Sequence, residues 1–187
     1  MKYVGLPAAM WALYKGSFRD HLISDLRFTK DTAAKITRDA KPVYKSIIDK
    51  LPEFEKDDRF VTNIVNCALL VAFLKCMDRR PSVDELTGFY ENAMKIAPTK
   101  MMCKAAGRSK FSDKDINSQK ATAALRAGDR NPYSWNMDYI PYDNGTGYEA
   151  RFYSCGICTL MKEYGFFDLV PAMCHLDYTM SELGGAS

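Results

Sequence analysis

The stretch PYSWNMDYIPYDNGTGYEARFYS, residues 132–154, is where the sequence changes character. Aromatic and polar residues flank Asp143-Asn144-Gly145-Thr146-Gly147, a run of turn formers, so the segment reads as an antiparallel hairpin. Trp135, Met137 and Tyr139 mark its first strand, and Tyr148 to Ser154 its second. The chain before it has helical spacing. The fold class expected is α+β: a mostly helical first two thirds, then a small antiparallel sheet and short helices at the C-terminus.

Working upstream, residues Lys100 to Lys110, with Gly107, read as a loop, and Ser112 or Asp113 starts a helix ending near Ala127-Gly128. Ser82-Val83-Asp84-Glu85 is a capping-box sequence, which specifies a helix from Val83 to about Ile96 with Leu86, Phe89, Tyr90, Ala93 and Met94 inward. The segment from about Asp57 to Met77 is apolar on most sides, the mark of a central helix. Asp31 to Leu51 is a further helix with Asp31 as its cap, which Pro42 should kink or split. From Pro7 to Phe28 the residues Met10, Leu13, Tyr14, Phe18, Leu22 and Leu26 form one stripe.

Downstream of the hairpin, Cys155-Gly156-Ile157-Cys158 leads into a short helix from about Thr159 to Tyr164, stopped by Gly165. Asp168 can cap a last short helix that has Pro171 in its first turn and Gly184-Gly185 as its stop. No repeat or linker divides the chain. Residues 1–187 are expected to form one domain, with a helical part over 1–130 and the hairpin plus cysteine-bearing helices over 131–187.

Composition narrows the function. Lys and Arg number 26 against 23 Asp and Glu, a net charge of +3 with the signs interleaved, so nothing favours nucleic acid or an anionic membrane surface. The apolar stretch Tyr3 to Tyr14 falls short of the ~20 residues of a membrane span and contains Pro7. With no secretion-type cleavage site before Lys15, the expected location is the cytoplasm. Six cysteines are too few for a disulfide scaffold, and two histidines argue against an imidazole-rich metal centre.

Cys155, Cys158, Cys174 and Asp177 give the spacing C-x2-C, fifteen residues, C-x2-D. Cys67, Cys76 and Cys103 sit in apolar or helix-end contexts and read as inert. One reading of the cluster is a nucleophile: Cys155 lies where a strand ends and Cys158 where a helix begins, and unpaired amides there stabilise a thiolate. On the last helix Cys174, Asp177 and Tyr178 share a face, opposite Met173, Leu176, Met180 and Leu183. Strand alternation puts Arg151, Tyr153 and Cys155 on one side, with Arg151 about 13 Å from Cys155 along the strand and able to reach toward a substrate carboxylate. A second reading is half of a zinc ribbon with Asp177 or His175 as fourth ligand, and a third is buried cysteines filling a tight junction. Arg151 has the plainer alternative of pairing with Glu149, and His21 and His175 that of ordinary helix residues.

Arg151-Phe152-Tyr153-Ser154-Cys155, followed by Cys174 and Asp177, resembles the L-2-amino-thiazoline-4-carboxylic acid hydrolase family, and Tyr44, Leu51-Pro52, the Asn63 region and Pro81-Ser82 resemble its N-terminal part. The resemblance implies a hydrolase that opens a cyclic 2-aminothiazoline carboxylate to N-carbamoyl-L-cysteine on the route to cysteine, with a small molecule as partner and no cofactor or metal. It carries over Cys155, Cys174 and Asp177; Cys158 and His175 are features of this sequence alone. The roles expected are Cys155 as nucleophile, Asp177 as acid/base or amidine orienter, Cys174 as its neighbour, and Arg151 with Tyr153 at the substrate. The family continues into further strands, so the chain reads as cut short at Ser187, and a two-stranded hairpin needs helices or a second copy of the chain to cover it. The alternative is a non-enzymatic small-molecule or zinc-binding module.

Overall fold

Helix α1, Leu6–Ser24, buries Met10, Trp11, Tyr14, Phe18 and Leu22. Leu13, expected in that stripe, is 40% exposed. At 100° per residue it stands roughly 130° from the stripe's centre, and Trp11 takes the inward place. Helix α2, Lys30–Lys50, is capped by Thr29, whose hydroxyl accepts the Thr32 N–H at 3.1 Å. Asp31 is therefore not the cap; it lies in the first turn, where a negative charge favours the helix N-terminus. Pro42 neither ends nor splits α2. Pro42 and Arg38 are both exposed, so the carbonyl deprived of its usual N–H partner lies on the watered side. This computed structural model describes residues 5–54, 58, 60–110, 112–128, 131–144 and 147–185. The expected helix start at Asp57, the turn residues Gly145-Thr146, Tyr3 at the start of the apolar stretch, and Ala186-Ser187 lie outside them.

Helix α3, Val61–Cys76, is the central one: Ile64, Val65 and every residue from Cys67 to Leu74 are buried, with α1, α2 and α7 packed around it. Helix α4, Val83–Met94, opens with the expected capping box, in which the Ser82 hydroxyl accepts the Glu85 N–H and the Glu85 carboxylate accepts the Ser82 N–H. At the heart of these helices the Phe18 ring lies 4.9 Å from Phe73, 5.3 Å from Phe89 and 6.1 Å from Tyr90, centroid to centroid.

The expected loop over Lys100 to Lys110 is instead part of helix α5, Ala97–Ser109. Pro98 opens it, and Gly107 is a contact residue rather than a breaker. A Cβ at Gly107 would stand 1.9 Å from the Gly184 carbonyl oxygen, so only glycine lets α5 meet the end of the last helix backbone to backbone. Helix α6, Asp113–Arg126, has Ser112 as its cap, the first of the two starts expected.

The strands are β1, Met137–Pro141, and β2, Tyr148–Phe152, antiparallel, in register from Met137↔Phe152 to Pro141↔Tyr148. Strand β2 stops two residues before the expected Ser154. Helix α6 covers β1, and Phe60 stacks on Trp135 at 4.8 Å and meets the Phe152 ring edge-on. Beneath, Arg126 pairs with Asp58 at 2.6 Å with side-chain exposures of 3% and 0%, and Arg126 also donates to the Ser134 hydroxyl. This pair joins α6 and the approach to β1 to the approach to α3.

Helix α7, Gly156–Glu163, begins three residues earlier than expected, which places Cys158 in its first turn. A 3-10 turn, Phe167–Leu169, leads into helix α8, Val170–Leu183, whose 14 residues exceed the short helix expected. Asp168 is not its cap. It is held by Arg80, whose guanidinium also lies over the Phe166 ring at 4.9 Å. One apolar cluster runs from Met10 to Met173 and includes Trp135 and Leu160, so the helical and hairpin regions share it. No helix among the described residues is long and apolar enough to cross a membrane.

Candidate functional site

Cys155 is the N-cap of α7, with extended backbone at φ −140° and ψ 118°. The glycine after it is required by geometry: a Cβ on Gly156 would lie 2.0 Å from the Tyr133 carbonyl oxygen and 3.0 Å from the Trp135 ring. The chain entering the hairpin thus rests directly on the start of α7 and fixes where Cys155 stands. Cys158 lies one turn on; burial, then the neighbouring Cys155 and Cys174, push its pKa up to about 11.

Cys174 on α8 is raised first by burial and then by Cys155 and Asp177. Fully buried Cys67 on α3 is raised by burial and also senses Cys155 and Cys158. Four sulfurs from α3, α7 and α8 therefore converge, and all the cysteines are free thiols. Cys155 and Cys158 are half-buried and Cys174 is exposed. Cys67, read as inert, is sealed in the core as that reading requires, but it forms the floor of this group.

Asp177, one turn along α8 from Cys174, lies on the wall of a cleft of about 780 Å³ between α5, α6, β2 and α8. Its side chain touches solvent on the cleft side and protein elsewhere, and that surrounding protein raises its carboxyl above the ordinary 3.8. The charge of Asp177 is also felt by Tyr90, a fully buried residue whose phenol is raised chiefly by burial and whose oxygen accepts the Asn66 side-chain amide at 2.8 Å. The cleft is lined by Cys103, Lys110, Gln119, Tyr148 and Phe152 among others. The Cys103 thiol lies 3.4 Å from the Met180 sulfur on the same wall.

Several expected residues stand elsewhere. Cys174 adjoins Asp177, and Cys155 and Cys158 stand on the far side of Cys174; none of the three lines the cleft. Arg151 and Tyr153 are not brought to Asp177: Tyr148 and Phe152 line the cleft, and alternation sends Arg151 to the other face of the hairpin. There Arg151 pairs with Glu149 at 3.1 Å, while the Tyr153 hydroxyl bonds the Asp138 carboxylate. His21 pairs with Asp25, and His175 stands 3.8 Å from Glu91, as the ordinary readings anticipated. Among the described residues no group of three or more His, Cys, Asp or Glu is placed to hold a metal ion, so the zinc alternative gains no support.

Sequence reasoning gave no site role to Cys103, read as inert, to Tyr90, read as core, or to Asn66, which it did not name. Asn66 alone could have been found, because it is the one polar residue in the run from Ile64 to Leu74 and a polar group in so apolar a helix needs a partner. Tyr90 sits in a regular core stripe and Cys103 in a segment misread as loop, so neither gave a signal.

A mostly helical α+β protein with a sulfur group set beside a carboxylate-bearing cleft is the class that these observations define. The chain belongs to the L-2-amino-thiazoline-4-carboxylic acid hydrolase family, whose model matches residues 62–186, from the first turn of α3 past the end of α8. No curated protein and no solved structure matches the chain.

Proposed function

We propose that this chain is a cytoplasmic hydrolase for a small cyclic 2-aminothiazoline carboxylate, opening it to N-carbamoyl-L-cysteine. Beyond family membership, the supporting observation is the row Cys158, Cys155, Cys174, Asp177, in which thiols at one helix start adjoin a thiol on the next helix, and that thiol adjoins a carboxyl raised by burial. The carbon between ring sulfur and nitrogen is electrophilic when the amidine is protonated. The Cys155 thiolate adds to it, the ring C–S bond breaks, and the substrate sulfur leaves as a thiol after taking a proton. Water then adds to the same carbon and expels the Cys155 thiolate, leaving the carbamoyl oxygen in place. Asp177, with its carboxyl raised, supplies and recovers the proton.

Lys110 on the cleft wall takes the carboxylate-anchoring role expected of Arg151. A second assignment of the sulfur has its own support, since Cys103 shares the cleft with Asp177 and Cys155 does not. Incubation with the thiazoline and detection of carbamoyl-cysteine tests the reaction, and the variants separate the sulfurs. Loss of product in Cys155→Ala with retention in Cys103→Ala supports the assignment; the reverse moves the nucleophile to Cys103. No product from the unaltered protein overturns the function.

A further inference from the structure

We infer that Cys155 and Cys158 form a reversible disulfide that switches the site off. The inference rests on the reading of Cys155 as nucleophile for its consequence, but not for the bond itself. The two residues occupy the N-cap and the third position of α7, one helical turn apart. That spacing lies within the about 4.4–6.8 Å between Cα atoms that a disulfide spans. Their side chains project from the same turn and Cys158 senses Cys155 directly, so closure needs side-chain rotation and no movement of the helix. Both are half-buried, which leaves a small oxidant access, whereas Cys67 is sealed.

Cys174 is the competing partner, and it stands on a different helix. A bond to it must bring α7 and α8 into disulfide geometry, while the bond within Cys155-Gly156-Ile157-Cys158 closes along one turn. Gly156 strengthens the bias: its contact with the Tyr133 carbonyl clamps the start of α7 and holds the pair in place.

A small-molecule disulfide such as oxidised glutathione is a sufficient oxidant. The Cys155 thiolate attacks one of its sulfurs and expels a glutathione thiolate, leaving a mixed disulfide. Cys158 then loses its proton and attacks the Cys155 sulfur, expelling the second glutathione. Two protein thiols are oxidised to one disulfide, and one glutathione disulfide is reduced to two thiols. The bridged Cys155 has no thiolate to offer a thiazoline, and a dithiol reductant restores it.

The experiment treats the reduced full chain with oxidised glutathione and follows intact mass, alkylation mapping and thiazoline hydrolysis together. The expected result is a loss of two hydrogen atoms, protection of Cys155 and Cys158 as a pair, hydrolysis falling in proportion to the bridged fraction, and recovery with dithiothreitol. Cys158→Ser should instead retain a glutathione adduct on Cys155. A bridge to Cys174, or only glutathione adducts on the unaltered chain, overturns the inference. So does undiminished hydrolysis by fully bridged protein. Failure of the proposed function is distinct: the bridge forms as expected but the reduced protein hydrolyses nothing.

Discussion

Helices α1 to α4 and the later part of the chain are held together by different means. In the first, Phe18, Phe73, Phe89 and Tyr90 interlock and α3 is buried on nearly every side, so cohesion is spread over many apolar contacts. In the second, Leu160, Met161, Ala172 and Met173 join the same apolar cluster, but placement depends besides on a few singular contacts: Gly107 against Gly184, Gly156 against Tyr133, and the buried Arg126–Asp58 pair. Apolar packing tolerates exchange at constant volume, whereas backbone contact admits one residue type and a buried charge cannot lose its partner. The cleft and the sulfur group thus stand on the less forgiving half.

Two substitutions should break this contrast most sharply. Phe18→Ala removes the ring at the centre of the helical part and should lower stability by about 3–5 kcal/mol. Arg126→Met leaves the Asp58 carboxylate buried and unpaired and should lower it by about 3–5 kcal/mol as well. The contrast lies in rescue: adding Asp58→Leu to Arg126→Met should restore much of the loss, because both charges are then gone. Urea unfolding measures all three, and a double variant no better than the single one would refute the assignment of the loss to an orphaned charge.

The glycine contacts come next. Gly156→Ala forces the Tyr133 carbonyl away and should cost about 1–3 kcal/mol as an overpacked site. Because that contact fixes Cys155, thiazoline hydrolysis should fall more than the loss of folded protein explains. By comparison Leu70→Met in α3 should cost under about 1.5 kcal/mol and leave hydrolysis intact. Equal effects of the two on activity would mean that the α7 start is not specially placed. Smaller still, Ser82→Ala removes the α4 cap and should cost about 1 kcal/mol by the same urea measurement.

These contrasts also explain what the sequence disclosed. Periodicity and capping are local, so α3, the Ser82 cap and the hairpin around residues 143–147 were legible. Gly107 was misread because its reason lies 77 residues away, at Gly184, and no local pattern records a backbone contact with a distant helix. Arg126 and Asp58 are 68 residues apart, and nothing local marks either as half of a buried pair. At the site, the C-x2-C spacing announced two of the sulfurs, and the i, i+3 relation announced Cys174 with Asp177. The cleft itself was hidden, since α5 supplies one wall and had been read as loop; with it went Cys103, Lys110 and the face of the hairpin that turns inward.

The gentlest test concerns Asp177, where burial acts against the charge. Its carboxyl is raised in the folded chain, so between the ordinary 3.8 and that raised value the folded state holds more protons than the unfolded one. By linkage, stability associated with this group is present below that range and is lost as pH rises through it. Asp25, Asp39, Glu85 and Asp168 have lowered values and act in the opposite sense, losing stability as pH falls. The signal is therefore the difference between the unaltered chain and Asp177→Asn, in which those four cancel. Urea unfolding across a pH series should show the unaltered chain losing ground to the variant as pH rises, while the variant loses hydrolysis throughout. A difference that stays flat, or that favours the unaltered chain at higher pH, would mean that the carboxyl is better solvated than the cleft wall implies, and Asp177 would then lack the retained proton that its acid role requires.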